Sequence, residues 1–219
     1  MIQLNQPIYC SIDPVVFSII DNELHVLLFK RDKAPFKGTM ALPGGLIQSS
    51  IDSSIDAAVD RVLQERTGVK INYREQVFSL GGLRDPRDWT LSVVYIALVL
   101  PQKITSNASW VRVSDVPKMT IAFDHQKIIS KAVERLTSKV NYSTLPMHFV
   151  DEEFTLPDLQ KVYEIILEEK LDKSSFRKKM EESGLLIETG NMRKDGAFRP
   201  SKLYRVAPAT LKNFDKNMV

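Results

Sequence analysis

A change in hydrophobic pattern near residues 139–154 is the feature that most constrains how this chain can fold. Before it, short runs of β-forming residues surround one strong helical pattern. After it, two helical patterns precede two short strand-like runs. The stretch itself has weak periodicity and contains Pro146, which is typical of a connection between domains. At about 150 residues per domain, a chain of 219 residues suits one large and one small domain. We therefore predict a first domain at 1–140, a linker at 141–153 and a second domain at 154–219.

Charge is unevenly distributed along the chain, although the formal net charge is only +3. Residues 1–150 carry 17 basic and 14 acidic side chains, residues 151–172 carry 2 and 8, and residues 173–219 carry 11 and 5. A segment of net charge −6 is therefore followed directly by one of net charge +6. This arrangement is typical of a protein that turns one element toward a polyanion, so we expect nucleic acid to bind at residues 173–219.

Composition excludes several other classes of protein. With 43% hydrophobic and 26% charged residues, the chain is neither a disordered, a collagen-like nor a coiled-coil protein. Cys10 is the only cysteine, so no intrachain disulfide can form and we expect a reducing, cytoplasmic compartment. The longest apolar run, residues 91–100, is about half as long as a transmembrane helix. We expect no membrane span and no secretion signal.

Local patterns in the first domain predict a hairpin, a helix, a buried strand and a second helix. The first helix is indicated by apolar residues at helical spacing from Ile55 to a stop at Gly68. The second is indicated by Asp124, whose short carboxylate can cap free N–H groups. The hairpin is predicted at 15–30 with its turn at 21–23, the strand at 91–100 and the second helix from Asp124 to about residue 138.

The second domain shows the element order of a winged helix-turn-helix. Residues 155–158, Thr-Leu-Pro-Asp, open one helix, and a second helix starts at Asp172 or Lys173 with Phe176 and Met180 on its buried face. Strands at 185–189 and 202–206 follow, joined by a basic loop. In a winged helix the second helix enters the major groove of DNA. The alternative is a small helical dimerisation domain with a solvated basic face.

The DNA-contacting side chains are predicted on the second helix and in the wing. Arginine can pair bidentately with guanine, whereas lysine and serine more often hold phosphate. The candidates are Lys173, Ser174, Ser175, Arg177 and Lys178 on the helix, and Arg193, Lys194, Arg199 and Lys202 in the wing.

A second motif lies in residues 42–69, where Leu-Pro-Gly-Gly is followed by Arg61 and by Glu-Arg-Thr-Gly-Val. It resembles the Nudix box, G-x5-E-x7-R-E-U-x-E-E-x-G-U, in which U is a bulky aliphatic residue. In that family the helix glutamates hold divalent cations against a pyrophosphate. The chain keeps the box residues Arg61, Leu63, Glu65, Gly68 and Val69.

The chain departs from the box at its metal-binding positions. Val62 replaces the glutamate after the arginine, Arg66 replaces the second of the paired glutamates, and Ser53 occupies the early glutamate position. The loop before the helix is longer by two residues. A unit charge about 5 Å from a like charge costs roughly 3 kcal/mol at a dielectric near 20. We therefore expect no metal ion, no cofactor and no ordinary hydrolase activity here.

Acidic residues in and before the helix offer a possible substitute for the missing glutamates. Asp52, Asp56 and Asp60 are expected instead to provide solvated helix polarity or to interact with the helix dipole. Arg61 is expected to pair with a nearby acid and brace the loop.

Residues 81–89 and 122–125 resemble segments of ADP-ribose-handling Nudix proteins. Together with the altered box and the winged helix, they make the chain similar to the Nudix-related transcriptional regulators of bacteria. The resemblance implies an α+β protein: a Nudix α/β/α sandwich that senses a small molecule, followed by a winged helix that reads operator DNA, in a homodimer. It favours the branch that represses NAD biosynthesis genes in response to ADP-ribose or a related metabolite. Sugar-responsive regulation is the alternative within the family, and an active ADP-ribose pyrophosphatase with a dimerising tail is the alternative outside it.

The resemblance also indicates where the effector binds. Arginine side chains suit its phosphates or polar edge, and glycines let backbone N–H groups approach a phosphate. Surface charge and a plain tight turn are the alternative interpretations, and Glu65 is expected to be at most a vestigial ligand contact. The predicted effector residues are Arg31, Gly44, Gly45, Glu65, Arg84, Asp85 and Arg87.

Overall fold

The computed structural model of the chain describes residues 8–105, 107–194 and 200–208, with backbone only at Leu83 and Arg84. The strands are β1 (Tyr9–Ile20), β2 (Glu23–Lys30), β3 (Met40–Ala41), β4 (Gly45–Leu46), β5 (Tyr73–Asp85), β6 (Asp88–Leu98), β7 (Ala108–Arg112), β8 (Leu186–Arg193) and β9 (Ser201–Val206). The helices are α1 (Ile55–Thr67), α2 (His125–Val140), α3 (Leu156–Leu167) and α4 (Lys173–Glu182), with 3₁₀ turns at Val113–Lys118 and Leu145–Phe149. Within these described ranges, no helix combines the length and the apolar character needed to cross a membrane.

The chain divides into two compact units. The first contains the described residues up to Ser18 together with His25–Ala132, and the second contains Ile19–Leu24 together with the chain from Val133 onward. The boundary therefore falls within α2. In the segment predicted as a linker, four of the five residues of the turn Leu145–Phe149 are buried, so this stretch is packed and not extended.

The first unit is built on a mixed sheet of seven strands. Its main order is β3-β2-β1-β6-β5, while β4 pairs with β1 and β7 with β2. The predicted hairpin is confirmed, because Asp21 and Asn22 join β1 to β2 at φ values of 50° and 64°, a region that Asp and Asn tolerate well. β1 begins at Tyr9 and runs parallel to β6. The sequence pattern placed its start at Val15, since Asp-Pro at 13–14 is a poor strand signal.

The helix that carries the altered box is confirmed. The hydroxyl of Ser54 caps it by accepting a hydrogen bond from the N–H of Ala57 at 3.1 Å, and Gly68 ends it at a φ of 68°. Its inner face packs against β1, β2 and β6 in the core of the unit. The loop before α1 follows β4, which pairs with the start of β1. The buried residues of α1 are Ala58, Val59, Val62, Leu63 and Thr67.

The second unit contains the predicted helix–helix–hairpin arrangement. Thr155 and Asp158 form a capping box at the start of α3, and Asp172 caps α4. Phe176 of α4 meets Tyr163 of α3 edge-on, with ring centroids 5.3 Å apart. The strands β8 and β9 form the hairpin, and Phe154 adds a short third pairing to β9. These contacts give the two helices and the wing a common core.

The wing strands differ in length from the prediction. β8 continues past Thr189 to Arg193, which pairs with Ser201 of β9. The alternation of buried and exposed residues is weak here because both faces of this end of the hairpin are largely exposed, so the pattern indicated a loop. Lys194 follows the strand, and Arg199 lies outside the described residues.

Candidate functional site

Arg61 braces the loop before α1, as predicted. Its guanidinium pairs with the Asp52 carboxylate, at 2.7 Å from Nε to Oδ1 and 2.8 Å from Nη2 to Oδ2, and it donates to the Leu46 carbonyl at 3.0 Å. Hydrogen bonds from Arg61 and from the N–H of Gln48 lower the pKa of Asp52 to about 2. Of the two roles expected of Asp52, solvated helix polarity is wrong. Asp52 precedes the cap at Ser54 and lies in the loop, with its side chain only 2% exposed.

This ion pair predicts a dependence of stability on pH. The folded pKa of Asp52 lies below its ordinary value of about 3.9, so the pair stabilises the fold fully above about pH 4 and loses its effect as the pH falls toward 2. We expect Asp52→Asn to lower the melting temperature at neutral pH, and its deficit relative to wild type to shrink below about pH 4. Thermal unfolding of both proteins across this pH range measures the effect.

Asp60→Asn is the matched control, because the Asp60 side chain is 50% exposed and pairs with Arg74 on the surface. At neutral pH, Asp60→Asn should lower the melting temperature less than Asp52→Asn does. An Asp52→Asn deficit that stayed constant from neutral to acid pH would contradict the assignment.

A pocket of about 350 Å³ opens beside the Gly44–Gly45 loop. Five of the seven predicted effector residues line it, namely Arg31, Gly44, Gly45, Asp85 and Arg87. Glu65 is not among the residues that line the pocket. Its side chain is 56% exposed and pairs with Arg61 at 3.2 Å. The side chain of Arg84 lies outside what the structure describes.

Phe123 contacts two of the arginines that line the pocket. The Cζ atoms of Arg31 and Arg87 lie 4.8 Å and 5.8 Å from its ring centroid, and Phe36 meets the ring edge-on at 4.9 Å. Arg31 is held in place because its Nε donates to the Pro35 carbonyl at 2.8 Å. Phe36 and Phe123 both have positive φ, at 61° and 57°. Aromatic residues rarely adopt this conformation, and strained residues of this kind cluster at ligand sites.

The charges in the pocket are only partly balanced. Arg87 forms an ion pair with Asp85, which raises the pKa of Arg87 and lowers that of Asp85. Arg31 shows the opposite effect: burial, and then the positive charges of Arg87 and Arg66, lower its pKa. Several guanidinium groups therefore face one cavity. Their planar donors suit a phosphate-bearing ligand.

Asp13 and His125 are buried pocket residues. The sequence patterns did not single out Asp13, and they placed His125 in the segment 122–125 without assigning it a contact to the effector. The Asp13 carboxylate accepts hydrogen bonds from the hydroxyls of Ser11, at 3.3 Å, and Ser92. His125 accepts the N–H of Leu42 on Nδ1 at 2.9 Å, so a neutral ring carries its proton on Nε2, 3.8 Å from Oδ1 of Asp13. An aspartate inside a run of buried apolar residues was the available signal for this cluster.

Close packing explains both glycines of the pocket loop. A Cβ on Gly44 would lie 2.2 Å from Oδ1 of Asp13 and 2.9 Å from the Ile12 carbonyl oxygen. A Cβ on Gly45 would lie 3.0 Å from Cγ2 of Val62. The loop therefore approaches β1 and α1 as closely as backbone alone allows. This contact places the backbone of the loop directly on the pocket.

In the second unit, a groove of about 650 Å³ lies beside α4 and the wing. Lys173, Arg177 and Lys202 are among the residues that line it. The other described candidates are exposed or half-buried, which leaves them accessible to a large ligand. These are Ser174, Ser175, Lys178, Arg193 and Lys194.

Three of these cations are held by carboxylates of the same unit. Arg177 pairs with Glu181 at 3.0 Å and Lys202 with Glu188 at 2.9 Å. The predicted strands at 185–189 and 202–206 place Arg193 in the basic loop between them, and that placement is wrong. Arg193 ends β8 and pairs at 2.8 Å with Asp158, where two strands and a helix cap meet.

Family models identify both halves of the chain. Residues 12–132 match the NUDIX domain, and residues 146–206 match the NrtR DNA-binding winged helix domain. The chain belongs to the NrtR family of Nudix proteins. The predicted fold class, a Nudix domain followed by a winged helix, is confirmed.

Individual relatives agree with this family assignment. The ADPR responsive transcriptional repressor NtrR of Acinetobacter baylyi is 38% identical over 214 residues, 94% of this chain and 84% of that protein. Shewanella oneidensis NrtR, solved with a 27mer DNA, is 39% identical with a TM-score of 0.88 over 95% of this chain and 98% of that one. Its NUDIX domain, solved with ADP ribose, is 36% identical with a TM-score of 0.59 over 62% of this chain and 93% of that one. An ADP-ribose pyrophosphatase of Methanocaldococcus jannaschii is 36% identical over 121 residues, 52% of this chain and 69% of that protein.

The divalent cation that a Nudix box implies does not fit the residues of this chain. Among the described residues, no three carboxylate, histidine or cysteine side chains are grouped so that they could hold a metal ion. Val62 is buried against Gly45, Glu65 is engaged by Arg61, and the cation Arg66 lines the pocket. Mg²⁺ prefers carboxylate oxygens. These three positions offer Mg²⁺ a single carboxylate, that of Glu65, which already pairs with Arg61.

Proposed function

We propose that this chain is an ADP-ribose-responsive transcriptional repressor. The observation that carries the proposal is similarity over nearly the whole chain, and not over one domain alone, to NrtR proteins that include a repressor and a structure solved on DNA. In this proposal the domain at 1–140 senses the effector, the domain at 154–219 binds operator DNA, and residues 141–153 join them.

The chemistry of the pocket supports ADP-ribose as the effector. Arg31 offers a guanidinium to a pyrophosphate. Phe123, against which Phe36 packs, provides aromatic surface for a nucleoside, and the buried Asp13 carboxylate can accept hydrogen bonds from ribose hydroxyls. Arg84 and Glu65 remain predicted contacts. No cofactor is needed for this binding.

The regulated genes are proposed to be those of NAD biosynthesis, because ADP-ribose is a part of the NAD molecule. The alternative is a sugar as effector and sugar catabolism genes as targets. The anionic preference of a pocket with several guanidinium groups favours a phosphate-bearing ligand over a neutral sugar.

Release from DNA is proposed to act through the spacing of two recognition helices in a homodimer. Two half-sites require the α4 helices to lie about one DNA turn apart, roughly 34 Å or a multiple of it. An effector that binds better to a dimer of different spacing lowers the affinity for DNA. The factor is at most the ratio of the effector's affinities for the two forms of the dimer.

The experiment that tests this function is a binding titration of the full-length protein on its own upstream DNA by fluorescence anisotropy. We expect tight binding without ligand, weaker binding with ADP-ribose, and no change with a panel of neutral sugars. Operator affinity unchanged at saturating ADP-ribose would reject ADP-ribose as the effector. Weakening by a sugar alone would establish the alternative branch.

The competing function is hydrolysis of ADP-ribose, which is favoured by the similarity of the Nudix half to an ADP-ribose pyrophosphatase. The altered box, with Val62 and Arg66 at glutamate positions, supports a regulator without this activity. Incubation with ADP-ribose and Mg²⁺, followed by chromatography for AMP, distinguishes the two. Release of AMP at ordinary enzyme rates would overturn the assignment.

The ion pairs of the wing predict that removing a carboxylate strengthens DNA binding. Glu188 competes with phosphate for Lys202 and also repels the DNA backbone. We expect Glu188→Gln to raise operator affinity about two- to fivefold at low salt, with a smaller effect at high salt. Anisotropy titrations at two salt concentrations measure this change.

Glu169→Gln is the control, since Glu169 is exposed and has no ion pair within the described part of the chain. It removes the same charge from outside the wing and should change affinity less. If Glu188→Gln weakened binding, the carboxylate would be positioning Lys202 for DNA instead of competing for it.

A further inference from the structure

Arg66 occupies a position in the pocket that the Nudix box reserves for a metal-binding glutamate. It lies in the last turn of α1, and its Cζ stacks 5.1 Å from the ring centroid of Phe29. Both residues line the same cavity as Arg31 and Gly44. A positive side chain therefore stands where the box would place the carboxylate of a divalent cation site.

Among the described residues, Arg66 and Arg31 also lack a close ion pair of the kind that Arg87 has. Arg87 is paired with Asp85, whereas within the described residues no carboxylate lies at ion-pair distance from Arg66 or Arg31. Burial, and then the positive charges of Arg87 and Arg66, lower the pKa of Arg31, and the more weakly acting Asp85 and Asp32 do not offset them. Two like charges that face one cavity are stabilised when an anionic ligand enters between them.

The remaining positions of the box cannot supply a metal site in its place. Val62 is 2% exposed and fills the space beside Gly45. The carboxylate of Glu65 is engaged by Arg61. Arg66 is the residue of α1 that lines the pocket, so this helix presents a cation there and not a carboxylate.

We propose that Arg66 replaces the divalent cation of the Nudix box and, with Arg31, binds the pyrophosphate of ADP-ribose directly, so that effector binding requires no metal ion. The inference rests on the proposed function, because it takes ADP-ribose as the ligand. A guanidinium can neutralise a pyrophosphate and fix its orientation through planar donors. It cannot lower the pKa of a bound water as a metal ion does. The replacement therefore retains binding and removes the means of hydrolysis.

Calorimetric titration of the full-length protein with ADP-ribose, once in EDTA and once in Mg²⁺, tests the proposal. We expect the wild-type Kd to agree within about twofold in the two buffers. Arg66→Gln should weaken binding in both buffers by about 30-fold or more, as expected for loss of a charge-assisted contact to phosphate. Arg66→Lys keeps the charge and loses the planar donors of the guanidinium. Its Kd should lie between those of wild type and Arg66→Gln.

Lys70→Gln is the matched control, because Lys70 is an exposed cation shortly after α1 that does not line the pocket. It should bind ADP-ribose like wild type. Melting temperatures of the variants show that they are folded, and the wild-type comparison between EDTA and Mg²⁺ needs no variant at all.

The outcomes separate this inference from the function on which it rests. Wild-type binding at least about tenfold tighter in Mg²⁺ than in EDTA, or Arg66→Gln binding as tightly as wild type, would overturn the role of Arg66 and leave the ADP-ribose-responsive repressor intact. Absence of ADP-ribose binding by the wild type in both buffers would overturn the proposed effector itself, and the role of Arg66 with it.

Discussion

Replacing Gly44 by alanine is expected to weaken ADP-ribose binding about 100-fold and to lower the melting temperature. The new Cβ would lie 2.2 Å from Oδ1 of Asp13 and 2.9 Å from the carbonyl oxygen of Ile12. Asp13 cannot swing away freely, because hydroxyls of Ser11 and Ser92 hold its carboxylate. Forced overpacking costs about 1–3 kcal/mol, and tenfold in affinity corresponds to about 1.4 kcal/mol. The loop must move off β1, and the pocket backbone moves with it.

The neighbouring glycine provides a graded control for this prediction. A Cβ on Gly45 would lie 3.0 Å from Cγ2 of Val62, a side-chain methyl group that can be removed. Gly45→Ala should therefore have a smaller effect, and the double variant with Val62→Ala should recover binding. Calorimetry with ADP-ribose and thermal unfolding measure both effects. If Gly44→Ala bound ADP-ribose like wild type, the loop would not form part of the effector site.

Replacing Arg177 by alanine is expected to weaken binding to operator DNA about 5- to 150-fold, the range for loss of a bidentate arginine–guanine contact. Arg177 lies on the exposed surface of α4, beside the groove that separates this helix from the wing. In the free protein its guanidinium pairs with Glu181 at 3.0 Å. An exposed ion pair of this kind contributes little to stability, so the variant should remain folded. The loss should be much smaller on DNA of unrelated sequence.

Lys179→Ala is the control for charge, because Lys179 lies on α4 but does not line the groove. Lys179→Ala should weaken binding to operator DNA and to unrelated DNA only slightly and by the same factor. Anisotropy titrations on operator and unrelated DNA, repeated at several salt concentrations, give both the specificity ratio and the salt slope. Equal losses for Arg177→Ala on the two DNAs would show that Arg177 contacts only the backbone, in which case the slope should fall by about one unit.

Short-range signals were sufficient to predict the four helices, the β1–β2 hairpin, the strand β6 and the two wing strands, whereas β3, β4, β5 and β7 were not predicted. The helical spacing that stops at Gly68, the turn at Asp21 and Asn22, and the Thr155–Asp158 segment that opens α3 all depend on residues a few positions apart. The end of β8 was missed because Arg193 joins its partner strand on an exposed edge, where burial imposes little pattern.

The pocket could be predicted only in part, because its buried polar centre is assembled over long sequence separations. Ser92 reaches Asp13 across 79 positions through the parallel pairing of β1 with β6, and His125 reaches Leu42 across 83. Nothing local marks these pairs. Asp52 was misassigned for a related reason. The acid lies before the helix cap, in the longer loop, where it can fold back onto Arg61.

The central claim is that occupancy of the pocket and binding to operator DNA oppose each other in one molecule. Such coupling is reciprocal, so DNA must weaken ADP-ribose binding by the factor by which ADP-ribose weakens DNA binding. Calorimetric titration of ADP-ribose into the free protein and into the protein saturated with operator DNA measures that factor directly. We predict a Kd that is higher on DNA by about 5- to 150-fold, the usual range of such coupling. An ADP-ribose Kd that is the same in the free protein and in the DNA complex would contradict the account.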